Sequence, residues 1–367
     1  NDGNAMGTYV ERYVYDAVGN FLEMQHRGGD PVAGWTRRYA YRETSLIENG
    51  TGVPFKTNNR LSNSTVGSNN SSVEHYVYDA HGNTTHMPHL GGSHPTANMH
   101  WDYREQMHHA DLGGGGTAYY IYDAAGQRVR KVWEKSANLV EERIYLGSFE
   151  IYRRRQGTNW LERETLHIMD DKQRIALVET RTFDTADSDP APLQLIRYQL
   201  GNHLGSVSLE LDDEAKIISY EEYTPYGSTS YQAVRGQLGT PKRYRYTGKE
   251  RDDESGLYYH EARYHAAWLG KWTACDPVGT GQASAYEYCG SNPICYSDPS
   301  GLDEDPVVGV SFAGPGDAGG VSRQGPYSPA PMAAGSTVGY SPKPANAPPE
   351  LVSSSAKTPA PVRPLLP

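Results

Sequence analysis

An all-β fold is predicted by three observations. The 367 residues carry 28 Tyr against 5 Phe, together with 39 Gly and only 37% hydrophobic residues. Aromatics suit pleated, half-buried strands and glycine supplies positive φ at tight turns, while one large aliphatic core is out of reach. An octamer recurs as YVYDAVGN at Tyr13–Asn20, YVYDAHGN at Tyr76–Asn83 and YIYDAAGQ at Tyr120–Gln127. Farther on, Ile144–Tyr152 and Arg174–Thr180 alternate apolar and polar residues, the pattern of strands with one buried face.

Each octamer reads as strand, turn, strand. Its two aromatics, at i and i+2, share one face of a strand. The Asp that follows can hydrogen-bond its own backbone and start a turn, and the Gly with its Asn or Gln takes left-handed dihedrals. Weaker copies begin at Arg37 (RRYAYRET) and Met99 (MHWDYREQM). Tyr15, Tyr78 and Tyr122 occupy equivalent places at uneven spacing, which excludes a fixed-period solenoid. Asn58–Ser72, Leu112–Gly116 and Thr182–Ala191 are loop segments by composition, and turns are expected at Gly201–Asn202, Asp212–Asp213 and Pro225–Tyr226–Gly227. Asn63 and Asn70 open glycosylation sequons, a short and unspecific pattern. After Leu302 the composition turns to Pro, Ala, Ser and Gly. Too little apolar surface is left there to offset ordering entropy, so Asp303–Pro367 is expected to be disordered or extended.

Composition also excludes several function classes. A formal net charge of −10 with both signs interspersed argues against a nucleic-acid surface. Cys275, Cys289 and Cys295 lack CxxC spacing and support neither a disulfide framework nor a zinc site. No apolar run approaches the ~20 residues that cross a bilayer. The start, NDGNAMGTYVERYVYD, lacks the basic and apolar regions of a signal peptide. Because it begins mid-pattern and without Met, the chain reads as a fragment of a longer one. The 13 histidines, including His108–His109, His203, His260 and His265, show no HxH or HExxH spacing, and no phosphate-binding glycine motif or GxSxG elbow occurs. No metal or cofactor is expected.

Between Tyr244 and Leu302, aromatic, glycine and charged residues follow neither a helical nor a strand period. Here and in the octamers the chain resembles a known family. The octamers resemble the YxYDxxGN signature of YD- or Rhs-repeat proteins, over residues 9–230. Arg243–Leu302 resembles the Rhs-repeat-associated core through Tyr246–Thr247–Gly248, Glu250–Arg251–Asp252, Gly256–Leu257–Tyr258–Tyr259, Ala262–Arg263–Tyr264, Gly270–Lys271–Trp272, Asp276–Pro277 and Asn292–Pro293. The terminal Asp298–Pro299-x-Gly301–Leu302 completes the match, and RYHAAWLGKW stands where RYYDPWLGRW-like sequences are usual. The segment before the core is similar to insecticidal toxin-complex C proteins.

The resemblance implies three parts. Residues 1–242 would be a β-hairpin spiral forming part of a hollow shell, 243–302 a core that plugs it, and 303–367 a variable tail. It further implies that the core cuts its own backbone between Leu302 and Asp303, acting once as an aspartyl autoprotease. The implied partners are a shell-completing polypeptide upstream or in trans, an enclosed C-terminal effector segment, and toxin-complex or type VI secretion delivery machinery. Export in such a complex follows. Neither nucleic acid nor a direct membrane span is implied.

Peptide hydrolysis by carboxylates needs one to activate water and one to supply a proton. The family comparison puts Asp276 at an essential aspartate and Arg263 at an important arginine; an Arg beside an Asp keeps it ionised or clamps the carbonyl. The pair could equally be a structural salt bridge. The second carboxylate stays open. Some relatives have an aspartate where this chain has Asn292, which cannot exchange protons. Asp298 is the alternative, although Asp-Pro-x-Gly is also a good β-turn sequence, and Glu287 is a third candidate. A Cys275 nucleophile with His265 as base ranks below the aspartates. A different class of reading is a non-catalytic surface protein whose tyrosine-rich repeats present a recognition face for a ligand or carbohydrate.

Overall fold

One turn recurs along the chain and sets its architecture. In the computed structural model, which describes residues 7–29, 34–45, 56–67, 72–170, 173–187, 189–235, 241–279, 284–307 and 357–358, Asp16 ends a strand. It donates its N–H to the Asn20 carbonyl at 2.9 Å, and its Oδ1 accepts the N–H groups of Val18 and Asn20. Gly19, at φ +80°, reverses the chain. The same backbone bonds form at Asp79, Asp102, Asp123, Asn202, Asp212 and Thr224. At each of them the strand register shifts on the residue before the turn, as at Val14/Tyr15 and Ile121/Tyr122. Such a bulge sharpens twist and bends the sheet. Four of these seven turns lie outside the octamers.

The first sheet runs β1 (Gly7–Tyr15), β2 (Phe21–Gly28), β3 (Trp35–Ala40), β4 (Asn63–Val66) and β5 (Ser72–His75) in chain order. Lys357–Thr358 pairs with the free edge of β1. A small hairpin, β6 (Val77–Tyr78) and β7 (Thr84–His86), leads to the second sheet.

That sheet is an unbroken antiparallel meander of twelve strands: β8 (Met99–Trp101), β9 (Met107–Asp111), β10 (Thr117–Tyr122), β11 (Arg128–Ser136), β12 (Leu139–Leu146), β13 (Phe149–Gln156), β14 (Asn159–Asp170), β15 (Gln173–Asp184), β16 (Gln194–Gly201), β17 (Val207–Leu211), β18 (Ile217–Tyr223) and β19 (Thr229–Val234). Short tight turns can join only antiparallel neighbours, hence the simple order. The sheets curl until start meets end: the Tyr15 and Tyr226 hydroxyls lie 2.7 Å apart and the Tyr13 ring meets Tyr226 edge-on.

The following chain fills the curl. A third sheet, β20 (Glu250–Arg251), β21 (Tyr258–His260), β22 (Arg263–Ala266) and β23 (Lys271–Trp272), buries Leu257, Tyr258, Tyr264 and Trp272 in one cluster with Phe21, Met99, Met107 and Tyr120. Turn glycines admit it. A Cβ on Gly82 would strike Cys275 and Tyr286, and one on Gly227 would strike Tyr246.

The expected all-β fold is present; several local expectations differ. Ile144–Tyr152 is a hairpin rather than one strand, because Gly147 takes φ +67° between β12 and β13. The expected loop Asn58–Ser72 contains β4, and its Asn63 is buried, so that sequon faces no solvent. Asn70 lies outside the described residues. The expected loop Thr182–Ala191 begins as the end of β15. The tail also starts ordered. β25 (Asp305–Pro306) pairs with β24 (Tyr296–Ser297), and Val307 donates to the Cys295 carbonyl at 2.9 Å.

Candidate functional site

Arg263, Asp276 and Asp298 come together where β22 meets the Asp298–Leu302 turn. Ala262 donates its N–H to the Ser300 carbonyl at 3.0 Å, which lays the Asp298–Leu302 turn along Arg263. Gly301 sits at φ +71°, where a Cβ would strike the His260 carbonyl and the Arg263 nitrogen. Only glycine fits there.

Arg263 lies between two aspartates. Its Nη2 is 3.2 Å from Asp298 Oδ2 and its Nη1 is 3.9 Å from Asp276 Oδ2. Its Nε donates to the Gly301 carbonyl, and the guanidinium stacks 4.3 Å from the centre of the Trp272 ring. The carboxylates are held alike. Asp276 Oδ1 accepts the Val278 and Gly279 N–H groups at 2.8 and 3.2 Å. Asp298 Oδ1 accepts those of Gly301 and Leu302, also at 2.8 and 3.2 Å. Each carboxylate thus spends one oxygen on the backbone and turns the other to the arginine. Arg263 and Asp298 are 4% and 3% exposed.

Burial pushes the Asp298 carboxyl above its ordinary value, against the opposing pull of Arg263 and the two backbone N–H groups. Burial likewise lowers Arg263, opposed first by Asp276 and then by Asp298. Leu302 is half-buried and Asp303 exposed, so the Leu302–Asp303 bond sits at the rim of the cluster.

The other candidates lie elsewhere. Asn292 is exposed, its backbone closing a short 3-10 turn. Glu287 accepts from the Ser291 hydroxyl at 2.6 Å and lies beside Gly19, on the first-sheet side. The thiol reading is corrected. Cys275 Sγ is bonded to the Tyr286 hydroxyl at 3.1 Å, while His265 is fully buried, stacked 4.2 Å from the Tyr288 ring. Burial drives His265 down to about 3, so it is no base for that thiol. Among the described residues no group of three or more His, Cys, Asp or Glu could hold a metal ion.

Sequence reasoning missed His260 as part of this site. Its Nδ1 donates to the Asp298 carbonyl at 2.6 Å and its ring meets Trp272 edge-on at 5.2 Å. Burial, with Lys249 and His265 adding, keeps this imidazole neutral, well below its ordinary value. No spacing rule links it to Asp298, 38 residues on.

No family model matches the chain. Toxin subunit YenC1 of Yersinia entomophaga is 29% identical over 311 residues, 82% of this chain and 30% of its own length. The probable deoxyribonuclease RhsA of Dickeya dadantii is 25% identical over 345 residues, 84% of this chain and 22% of its own. Among solved structures, that of TcdB2–TccC3–TEV superposes with a TM-score of 0.64 at 26% identity, over 80% of this chain and 13% of that one. The chain thus spans less than a third of the length of these relatives.

Proposed function

We propose that the chain, which is similar to toxin subunit YenC1 and to the TcdB2–TccC3–TEV structure, is an Rhs/YD-repeat protein of the toxin-complex C kind that closes a toxin shell and releases its tail by cutting itself after Leu302. The observation that carries this reading is the Asp276–Arg263–Asp298 cluster, tied through Asp298 to the N–H groups of Gly301 and Leu302. Two carboxylates across one cation suit hydrolysis of a nearby peptide bond. Asp276, set beside the Arg263 guanidinium, is the base. It takes a proton from water as the water oxygen adds to the Leu302 carbonyl carbon. Asp298, whose proton affinity burial raises, is the acid. It delivers a proton to the Asp303 nitrogen as the C–N bond breaks. Arg263 pairs with the Asp276 carboxylate and, through the Gly301 carbonyl, positions the turn.

The shell-completing partner, the enclosed effector and export in a toxin complex belong to the same proposal. They are supported by relatives described as a toxin subunit and as a TcdB2–TccC3 assembly.

Intact-mass analysis of purified protein is the test. Cleavage predicts fragments of 302 and 65 residues that stay associated, and Asp276→Asn or Asp298→Asn should leave a single chain of 367 residues. Wild-type protein that stays uncut would sink the reading and favour a non-catalytic interaction protein.

A further inference from the structure

A polar chamber lies between the meander and the plug, and self-cleavage makes no use of it. It measures about 90 Å³ and adjoins a second of about 60 Å³, with Arg143, Tyr152 and Arg243 lining both. A single water needs only about 10–15 Å³. Strand register sets the floor. Arg143, Tyr152 and Arg163 stand opposite one another across β12, β13 and β14, and so share one face. Thr165, two residues beyond Arg163, adds a hydroxyl to that face. The plug supplies the roof through Arg243. Arg163 and Thr165 are each 2% exposed, whereas Pro241 and Asp253 are exposed and mark the mouth.

Three guanidiniums therefore line one small chamber, and their carboxylates are already divided. Glu150 serves Arg143 at 3.1 Å and Arg243 at 2.7 Å, with His167 as a further partner. Glu250, the second partner of Arg243, is shared with Arg128. Arg163 donates its Nε to Asp189 and its Nη2 to the Pro192 carbonyl. Its buried Nη1 has no hydrogen-bond partner among the described residues. The acidic side chains of the lining do not meet this need. Glu179 is taken by Arg197 at 3.1 Å and Glu141 by Lys135 at 2.7 Å, and Asp253 stands at the mouth. A buried guanidinium N–H without an acceptor is costly, and its strongest complement is an oxyanion that accepts charge-assisted bonds. The guanidinium fork matches phosphate geometry. Cations placed on floor and roof suit a tetrahedral anion better than a planar carboxylate, and the volume suits the free ion.

We propose that this chamber binds one phosphate-like oxyanion, with Arg163 Nη1 as its principal donor and Arg143, Arg243 and Thr165 around it. Arg143 and Arg163 belong to the meander and Arg243 to the plug, so the anion ties one to the other. The site goes beyond the self-cleavage reading and does not depend on it.

The experiment titrates inorganic phosphate into the purified full chain by calorimetry at constant ionic strength, with chloride and acetate as controls. Wild type should bind saturably at one site, and its melting temperature should rise with phosphate and with neither control. Arg163→Lys keeps a cation beside Asp189 but removes Nη1, and should weaken phosphate at least tenfold. Its melting curve without phosphate checks its fold. Arg143→Lys, at the less buried edge, should weaken binding too and keeps the test decisive if the first variant fails to fold. Absence of saturable binding to wild type, or unchanged affinity in a folded variant, would overturn the proposal. An equal response to acetate or chloride would show a general salt effect and overturn it as well.

Discussion

The plug is gripped by two halves of one repeat architecture in opposite chemical ways. Against β1–β10 the contact is apolar. The plug's Gly270 lies so close to the Phe21 ring that a Cβ there would strike it, and Met99, Met107 and Tyr120 are almost wholly buried in one cluster with plug residues. Against β11–β18 it is ionic. Arg128 reaches Glu250 and Asp252 at 2.8 and 2.6 Å, Glu150 takes Arg143, Arg243 and His167, and Glu221 takes Lys242 and Arg245. Apolar burial stabilises in proportion to area and tolerates sliding. Buried ion pairs gain little net stability, since desolvation offsets most of the attraction, yet each breaks badly when one partner is lost. The ionic half therefore fixes where Lys242–Asp252 sits, and the apolar half holds the plug down.

The comparison breaks most clearly at Glu150. Glu150→Ala leaves Arg143 and His167 without their carboxylate and Arg243 with Glu250 alone, and should cost roughly 3–5 kcal/mol, read as a lowered urea midpoint. On the apolar half, Met107→Ala should cost about 3 kcal/mol through its cavity alone. If the Glu150 variant is the milder of the two, the ionic half is solvated and the contrast fails.

Acid should loosen the plug itself. His260 and His265 are neutral when folded, because burial depresses both, His265 to about 3. Unfolded imidazoles titrate near 6.5. Stability is thus complete above that pH and is lost below it, by about 1.4 kcal/mol per pH unit per histidine, until the folded values are reached. The depressed carboxyls of Glu150, Glu221 and Glu250 add their own losses only below about 4.5. Between pH 6.5 and 5 the dependence therefore belongs to the histidines that burial depresses, His260 and His265 together with His89, His109 and His167. His265→Phe keeps the ring stack and should lower the slope of unfolding free energy in that window by one histidine's share, about 1.4 kcal/mol per pH unit; an unchanged slope would place the titration elsewhere. The smallest expected effect is at a repeat turn, where Asp16→Ala removes the caps on Val18 and Asn20 for about 1 kcal/mol.

How much was readable in the chain follows this same division. The octamers name Asp16, Asp79 and Asp123 because side chain and turn residue sit within five positions. The turns at Asp102, Asn202, Asp212 and Thr224 use the same backbone bonds with different letters, and at two of them Glu105 and Ala215 take the positive φ in place of glycine. The site was legible only through resemblance. Nothing local to ARYH or DPSGL tells that Arg263 faces Asp276 and Asp298 together, or that His260 holds the Asp298 carbonyl. The hairpin hidden in Ile144–Tyr152 was missed because alternation survives a tight two-residue turn unchanged.

By itself the sequence determined the strands, the turns and the order in which they pair, because tight turns and alternating faces act within about ten residues. Only the tertiary structure decided which face of the meander points inward. Alternation marks two faces without saying which is wet, and here the plug supplies the complementary charges that draw the polar face in. The same closure brought Arg263 between two carboxylates far apart in the chain, a placement that depends on long-range packing and leaves no local signature.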